Sequence, residues 1–236
     1  MNTDLNEILQ HSTYFGAFIS IFFYWTGCYL QKKLKKPFLN PLLIAIFLTI
    51  ALLSFLQIDY ETYQSSAKYI TYFLTPATVC LAVPLYQQLA LLKENLPAIL
   101  ASILAGCISH LIIVVGLSFL FRWNRDFLFS FLPKSVTTPI ALGICRETGG
   151  MEELTIIGVT VAGLSGSILG PALLKLFHIK NPIAQGLALG TASHAIGTSK
   201  AVELGDIQAA VSSVAIVIAG IMTVVLIPVY IRLFLL

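Results

Sequence analysis

The chain is poor in charge. Asp, Glu, Lys and Arg make up only 11% of its 236 residues, where a soluble globular domain carries about a quarter, and the mean hydropathy is +0.88. Seven stretches hold no charge at all: 12–31, 37–58, 69–92, 95–121, 154–174, 181–199 and 207–231. Each is close to the roughly 20 residues that a helix needs to cross a hydrocarbon core of about 30 Å. The deficit excludes an ordinary soluble domain and makes this an integral membrane protein. A net charge of +3, with the basic residues scattered or gathered at tract edges, excludes a nucleic-acid surface.

Metal and catalytic signatures are missing as well. Cys28, Cys80 and Cys107 fall inside apolar tracts and Cys145 closes another, with no CxxC pair and no Cys/His metal spacing, so all four read as small buried apolar residues. There is no GxSxG elbow and no HExxH helix. Ser193 and His194 are adjacent on one backbone, which does not readily place the hydroxyl on the imidazole. The sequence therefore reads as no enzyme, with no cofactor and no metal. The segment MNTDLNEILQHSTYFG is acidic rather than basic and lacks a small-residue cleavage site, so no signal or transit peptide is expected and the first span does the targeting.

What is present sets the topology. Lys32, Lys33, Lys35 and Lys36 crowd the loop after the first span, which places that loop in the cytoplasm and the N-terminus outside. The connector QIDYETYQSS suits the outer side and KLFHIK, at 175–180, the inner one. The expected fold is an all-α polytopic membrane protein of about six to eight transmembrane segments, some of them broken or re-entrant. The chain reads as one membrane domain, 1–236, with repeat halves at about 12–121 and 127–236.

Three tracts are unsuited to plain spans. Gly190 to Lys200 packs two glycines, two threonines, two serines, a histidine and a lysine, and backbone freed from helical bonding in hydrocarbon needs protein or water to satisfy it. Around Pro133, Lys134, Ser135, Thr137, Thr138 and Pro139, helix breakers, hydroxyls and a cation again coincide, so 127–148 is expected to break or re-enter. The third tract carries Thr75, Pro76 and Thr78 and then Pro84, read either as a proline kink or as an unwound segment. Elsewhere Ser102, Gly106, Ser109 and His110 share one helical face, which invites close helix approach, with His110 as a packed, hydrogen-bonded core residue. Gly166 to Gly170 is a GxxxG match, and these two faces would serve either a homodimer or internal packing. An ungapped shift lays Pro76 to Val79 on Pro133 to Val136 and Ala105-Gly106 on Ala162-Gly163, and Asn40-Pro41 echoes Asn181-Pro182. Paired interrupted helices in two halves mark secondary transporters.

TPATVCLAVPLY (75–86), PKSVTTPIALGI (133–144) and GTASHAIGTSKAVE (190–203), in that order, resemble the LrgB/CidB family over about residue 40 to the C-terminus. The resemblance implies a protein of the bacterial inner membrane, described as antiholin-like and encoded with a smaller LrgA/CidA-type membrane partner. The chain is also similar to the C-terminal half of the plastid glycolate/glycerate translocator of plants, which implies carriage of small hydroxy- or keto-carboxylates such as glycolate, glycerate, lactate or pyruvate.

The residues lead to a compatible expectation. A small carboxylate needs a cation or helix N-terminal amides for its charge and hydroxyl partners for its oxygens. The candidate substrate-binding residues are Thr75, Pro76 and Thr78; Lys134, Ser135, Thr137 and Thr138; and Ser193, His194, Gly197, Thr198 and Lys200. Lys134 and Lys200 are candidate counter-ions, against a reading in which each reaches the interface or pairs with Glu203. His194 is read either as a substrate or proton-coupling group or as a structural hydrogen-bonding one. The expectation is a monocarboxylate carrier working by alternating access, with or without a proton, alongside an LrgA/CidA-like partner. The alternative is a holin/antiholin-like pore or regulator of murein hydrolase activity and cell lysis.

Overall fold

The computed structural model describes residue 9 and residues 12–34, 40–73, 76, 79–80 and 82–234; Thr75, Thr78, Lys35 and Lys36 lie outside them. Among the described residues every regular element is a helix, and the chain is an all-α polytopic membrane protein. It divides into two compact units, 1–80 and 81–236.

The first unit holds α1 (Phe15–Leu34), α2 (Pro41–Leu56) and α3 (Tyr60–Thr71). Asn40 caps α2 by accepting from the amides of Leu42 and Leu43, with Pro41 supplying the fixed φ of a first helical residue. α1 meets α3 through the Gly16 amide, which donates to Ser66 Oγ at 2.7 Å, and through Ser20 Oγ, 2.6 Å from the Tyr63 hydroxyl. Pro76, exposed, belongs to this unit.

The second unit contains α4 (Ala82–Gln87), α5 (Leu89–Glu94), α6 (Leu96–Leu120), α7 (Arg125–Phe131), α8 (Thr138–Thr148), α9 (Glu152–Leu176), α10 (Pro182–Leu204) and α11 (Asp206–Phe234). α6, α9 and α11 are long and apolar enough to cross a membrane, and the 25 residues of α6 reach about 37 Å. α6 and α11 run side by side in the same direction. Ile99, Ile103 and Cys107 pack with Val211, Ala215 and Ala219, and further along Leu111 and Val114 pack with Ile227.

The segments between these helices double back. Asn124 caps α7 on the Phe127 amide, and the chain then breaks over 132–137 before Pro139 starts α8. α8 ends at Gly149, whose φ of +81° permits the left-handed cap, and both Gly149 and Gly150 donate to the Cys145 carbonyl. The chain has by then returned to α7: Ser130 Oγ accepts from the Met151 amide at 2.7 Å and the Ser130 carbonyl from Thr155 Oγ1 at 3.0 Å. Residues 125–150 thus form a hairpin entered from the Leu120 end of α6.

α10 is a second hairpin. Ser193 (φ −133°, ψ 16°) and His194 (φ 41°, ψ −136°) are not helical, and the chain reverses there. Along the first arm, 182–192, Gly186 faces Gln208 and Val211 and Gly190 faces Ser212 and Ala215, so this arm runs parallel to α11. Along the second, Gly197 sits against the Leu189 carbonyl, and Ala201 packs with Leu189 and Leu174. In a straight helix residues 189 and 197 would be about 12 Å apart. Gln185 and Gln208 are hydrogen-bonded at 3.0 Å, so both arms begin and end at the Leu96 end of α6.

Candidate functional site

Each hairpin is held by side chains that leave its tip near the middle of α6. In the first, His110, two residues past the midpoint of that helix, donates from Nε2 to the Leu132 carbonyl at 2.8 Å. A carbonyl only accepts, so in the neutral ring Nδ1 is the acceptor, and Ser135 Oγ donates to it at 3.3 Å. In the second, Thr191 packs against Gly106 of α6, while His194 Nε2 donates to the Val159 carbonyl of α9 at 3.0 Å. The reversal is possible because α9 offers no side chain there. A Cβ on Gly166 would stand 1.6 Å from Ser193 Oγ, and one on Gly163 would stand 2.9 Å from the His194 ring. Thr198 Oγ1 closes the second arm by donating to the His194 carbonyl at 3.1 Å, with Ser212 Oγ 2.7 Å away.

Between the tips lies a cavity of about 500 Å³. Ser102, Gly106, Ser109 and His110 give it one wall, Lys134 and Ser135 a second, and Leu187, Ala188, Thr191 and Ala192 a third. The Lys134 ammonium makes no hydrogen bond or ion pair with a described residue; its backbone amide donates to the Phe131 carbonyl at 3.3 Å. Thr191 Oγ1 is buried with no hydrogen-bond partner among the described residues. The walls thus supply an ammonium with no counter-charge among the described residues, and the buried Thr191 hydroxyl, at membrane depth, where an unmatched charge is costly. A second cavity, of about 450 Å³, shares Lys134, Ala188 and Ala192 with the first and runs between α9 and α10 past Ser193.

The sequence-derived site residues are distributed unevenly over this arrangement. Lys134 and Ser135 line the first cavity, and Lys134 and Ser193 the second. Thr137 and Thr138 open α8 and lie on neither wall. His194, Gly197 and Thr198 are buried in the packing that builds the second hairpin. Lys200 lies on neither wall: it pairs with Glu203, three residues on. Thr75 and Thr78 fall outside the described residues, and Pro76 is in the other unit. The face of Ser102, Gly106, Ser109 and His110, read as a helix-association face, admits Thr191 of α10 at Gly106 and is a cavity wall as well. Gly166 and Gly170 are covered within the chain by Ser193 and Leu189. Thr191 was missed, although Ala184, Leu187, Ala188 and Thr191 recur at helical spacing and would have marked one face of the first arm.

Fold and site together define a polytopic membrane protein in which two helical hairpins, entered from opposite ends, meet around a lysine-bearing cavity. The sequence model of the LrgB-like family matches residues 20–233. Over 223 residues, 94% of this chain and 96% of the relative, the sequence is 40% identical to the antiholin-like protein LrgB of Bacillus subtilis (strain 168). The chain belongs to the LrgB-like family. No solved structure matches it.

Proposed function

We propose that the chain is a secondary carrier of small monocarboxylates, of the glycolate, glycerate, lactate or pyruvate class, moving them by alternating access between its two hairpins. The observation that carries this reading is Lys134, an ammonium without a counter-charge among the described residues, at the place where both hairpin tips meet. An anion entering the cavity would neutralise it, and Ser109 and Thr191 offer hydroxyls for the remaining oxygens. Opposed broken helices meeting near the midplane are the recurrent architecture of such carriers. The test is uptake of labelled lactate or pyruvate into proteoliposomes, with and without an LrgA/CidA-like partner. Saturable uptake that disappears in Lys134→Gln supports the reading; no uptake above empty vesicles in either setting removes it.

The name of the Bacillus subtilis relative, antiholin-like, favours a second reading more directly than it favours transport. In that reading the chain restrains a lytic pore in the membrane, and the hairpins serve assembly rather than passage. Release of large solutes from vesicles, changed by the chain and insensitive to Lys134→Gln, would select it.

A further inference from the structure

The two cavities that share Lys134 differ in chemistry. The first is ringed by hydroxyls on several sides, whereas the second is lined mainly by apolar side chains, with Lys134, Ser165 and Ser193 as its polar residues. Ser193, which lines it together with Lys134, is only 1% exposed, and its hydroxyl makes no hydrogen bond with a described residue. From that point the wall continues along Leu169, Leu173 and Phe177, one face of α9, toward the Leu96 end of the unit. Leu169 and Leu173 are 45% and 47% exposed, so the wall is open to an occupant. A small hydroxy acid placed along it would leave its own polar groups unmatched. A molecule with an anionic head and an unbranched apolar tail matches it at both ends.

We infer that this cleft is a second binding site, for straight-chain aliphatic monocarboxylates, the carboxylate on Lys134 and Ser193 and the chain along Leu169 and Leu173. The inference rests on the reading of Lys134 as the anion-binding group. Because one ammonium serves both cavities, an alkanoate in the cleft and a small hydroxy or keto acid in the first cavity exclude one another. The protein is then inhibited by aliphatic acids, and more strongly as their chains lengthen.

The test is calorimetric titration of the full chain in lipid nanodiscs with butyrate, hexanoate and octanoate, with methyl octanoate as an uncharged control that also partitions into lipid. Each buried methylene contributes about 0.8 kcal/mol, and about 1.4 kcal/mol is tenfold in affinity, so Kd is expected to fall about fourfold per methylene. The slope should flatten for the longer acids in Leu169→Trp, which fills the cleft, and in Leu173→Thr, which makes its wall polar. Methyl octanoate should not compete. A slope unchanged in both variants, or equal competition by the ester, overturns the second site. Lactate uptake without any chain-length slope removes this site and leaves the carrier reading; a slope without lactate uptake removes the carrier reading and leaves this site.

Discussion

Gly166→Ala tests the second hairpin at its closest contact. The added Cβ would sit 1.6 Å from Ser193 Oγ and 2.6 Å from Ser193 Cβ, with Ser193 Cα at a comfortable 3.8 Å. Rotating the hydroxyl away relieves only the first clash, so the arm or α9 must shift. Overpacking of this kind costs about 1–3 kcal/mol, and a contact this short belongs at the top of that range. Against it, replacing glycine by alanine inside a helix gains about 1 kcal/mol of propensity. The net loss is about 2 kcal/mol, which for a chain of this size lowers the melting temperature by about 4–8 °C. The partner residue grades the effect. Ser193→Ala removes Oγ but keeps the Cβ at 2.6 Å, whereas Ser193→Gly removes both. Stability should therefore rise from Gly166→Ala, to its double variant with Ser193→Ala, to its double variant with Ser193→Gly. Thermal unfolding in detergent, with the two Ser193 single variants as references, reads the cycle. Full recovery with Ser193→Ala, or a Gly166→Ala protein as stable as the parent, would refute the reversal at Ser193–His194.

Four further perturbations address the same arrangement. His194 has φ 41° and ψ −136°, a backbone state that suits glycine, so His194→Gly should unfold later than His194→Ala by about 1 kcal/mol, the opposite of their order in a regular helix. His110→Phe fills the ring volume but leaves the Leu132 carbonyl and Ser135 without their partner; a loss of about 1–3 kcal/mol in thermal unfolding is expected, larger than for His110→Gln. Lys134→Met should abolish carboxylate binding by titration while raising the melting temperature, because it removes an unmatched charge from membrane depth. Lys200→Ala breaks only an i,i+3 pair with an exposed glutamate, and melting should change by less than about 1 kcal/mol with carboxylate binding retained.

The sequence was most legible where composition alone decides. Charge-free tracts foretell α6, α9 and α11 because only a continuous apolar helix satisfies its backbone in hydrocarbon. The Asn-Pro pairs at 40–41 and 181–182 foretell two helix starts, each asparagine accepting from two amides beyond its proline. The hydroxyl- and glycine-rich segments correctly mark broken backbone, yet a kink and a reversal share one composition. What settles the matter in α10 is long-range: Gly197 against the Leu189 carbonyl, and Gly166 and Gly163 of another helix making room for Ser193 and His194. The two lysines illustrate the same limit in charge. Glu203 three residues after Lys200 was visible as a local partner, while the isolation of Lys134 depends on what α6 and α10 bring near it.

The internal echo acquires a geometric meaning from the second unit. The shift that lays Pro76 on Pro133 is 57 residues, and it carries α6 onto 153–177, almost the whole of α9, and the first hairpin, 125–148, onto 182–205. The elements that this shift pairs, each a long helix followed by a hairpin, both lie within the second unit rather than in halves of about 12–121 and 127–236. α9 runs against α6, as its Gly163, Gly166 and Gly170 meet His194, Ser193 and Leu189 in descending order along an arm parallel to α11. Two copies related by such an inversion must send their hairpins in from opposite ends. The 11 residues of either α8 or the first arm of α10 extend about 16 Å, a little under half of α6. Tips of that reach meet at mid-depth without further design. The same shift places Lys134 on Thr191, so the backbone repeats while the charge does not. Two lysines at these positions would put two like charges around one cavity, each raising the cost of the other; the cavity is lined instead by one lysine and by one buried hydroxyl that has no hydrogen-bond partner among the described residues.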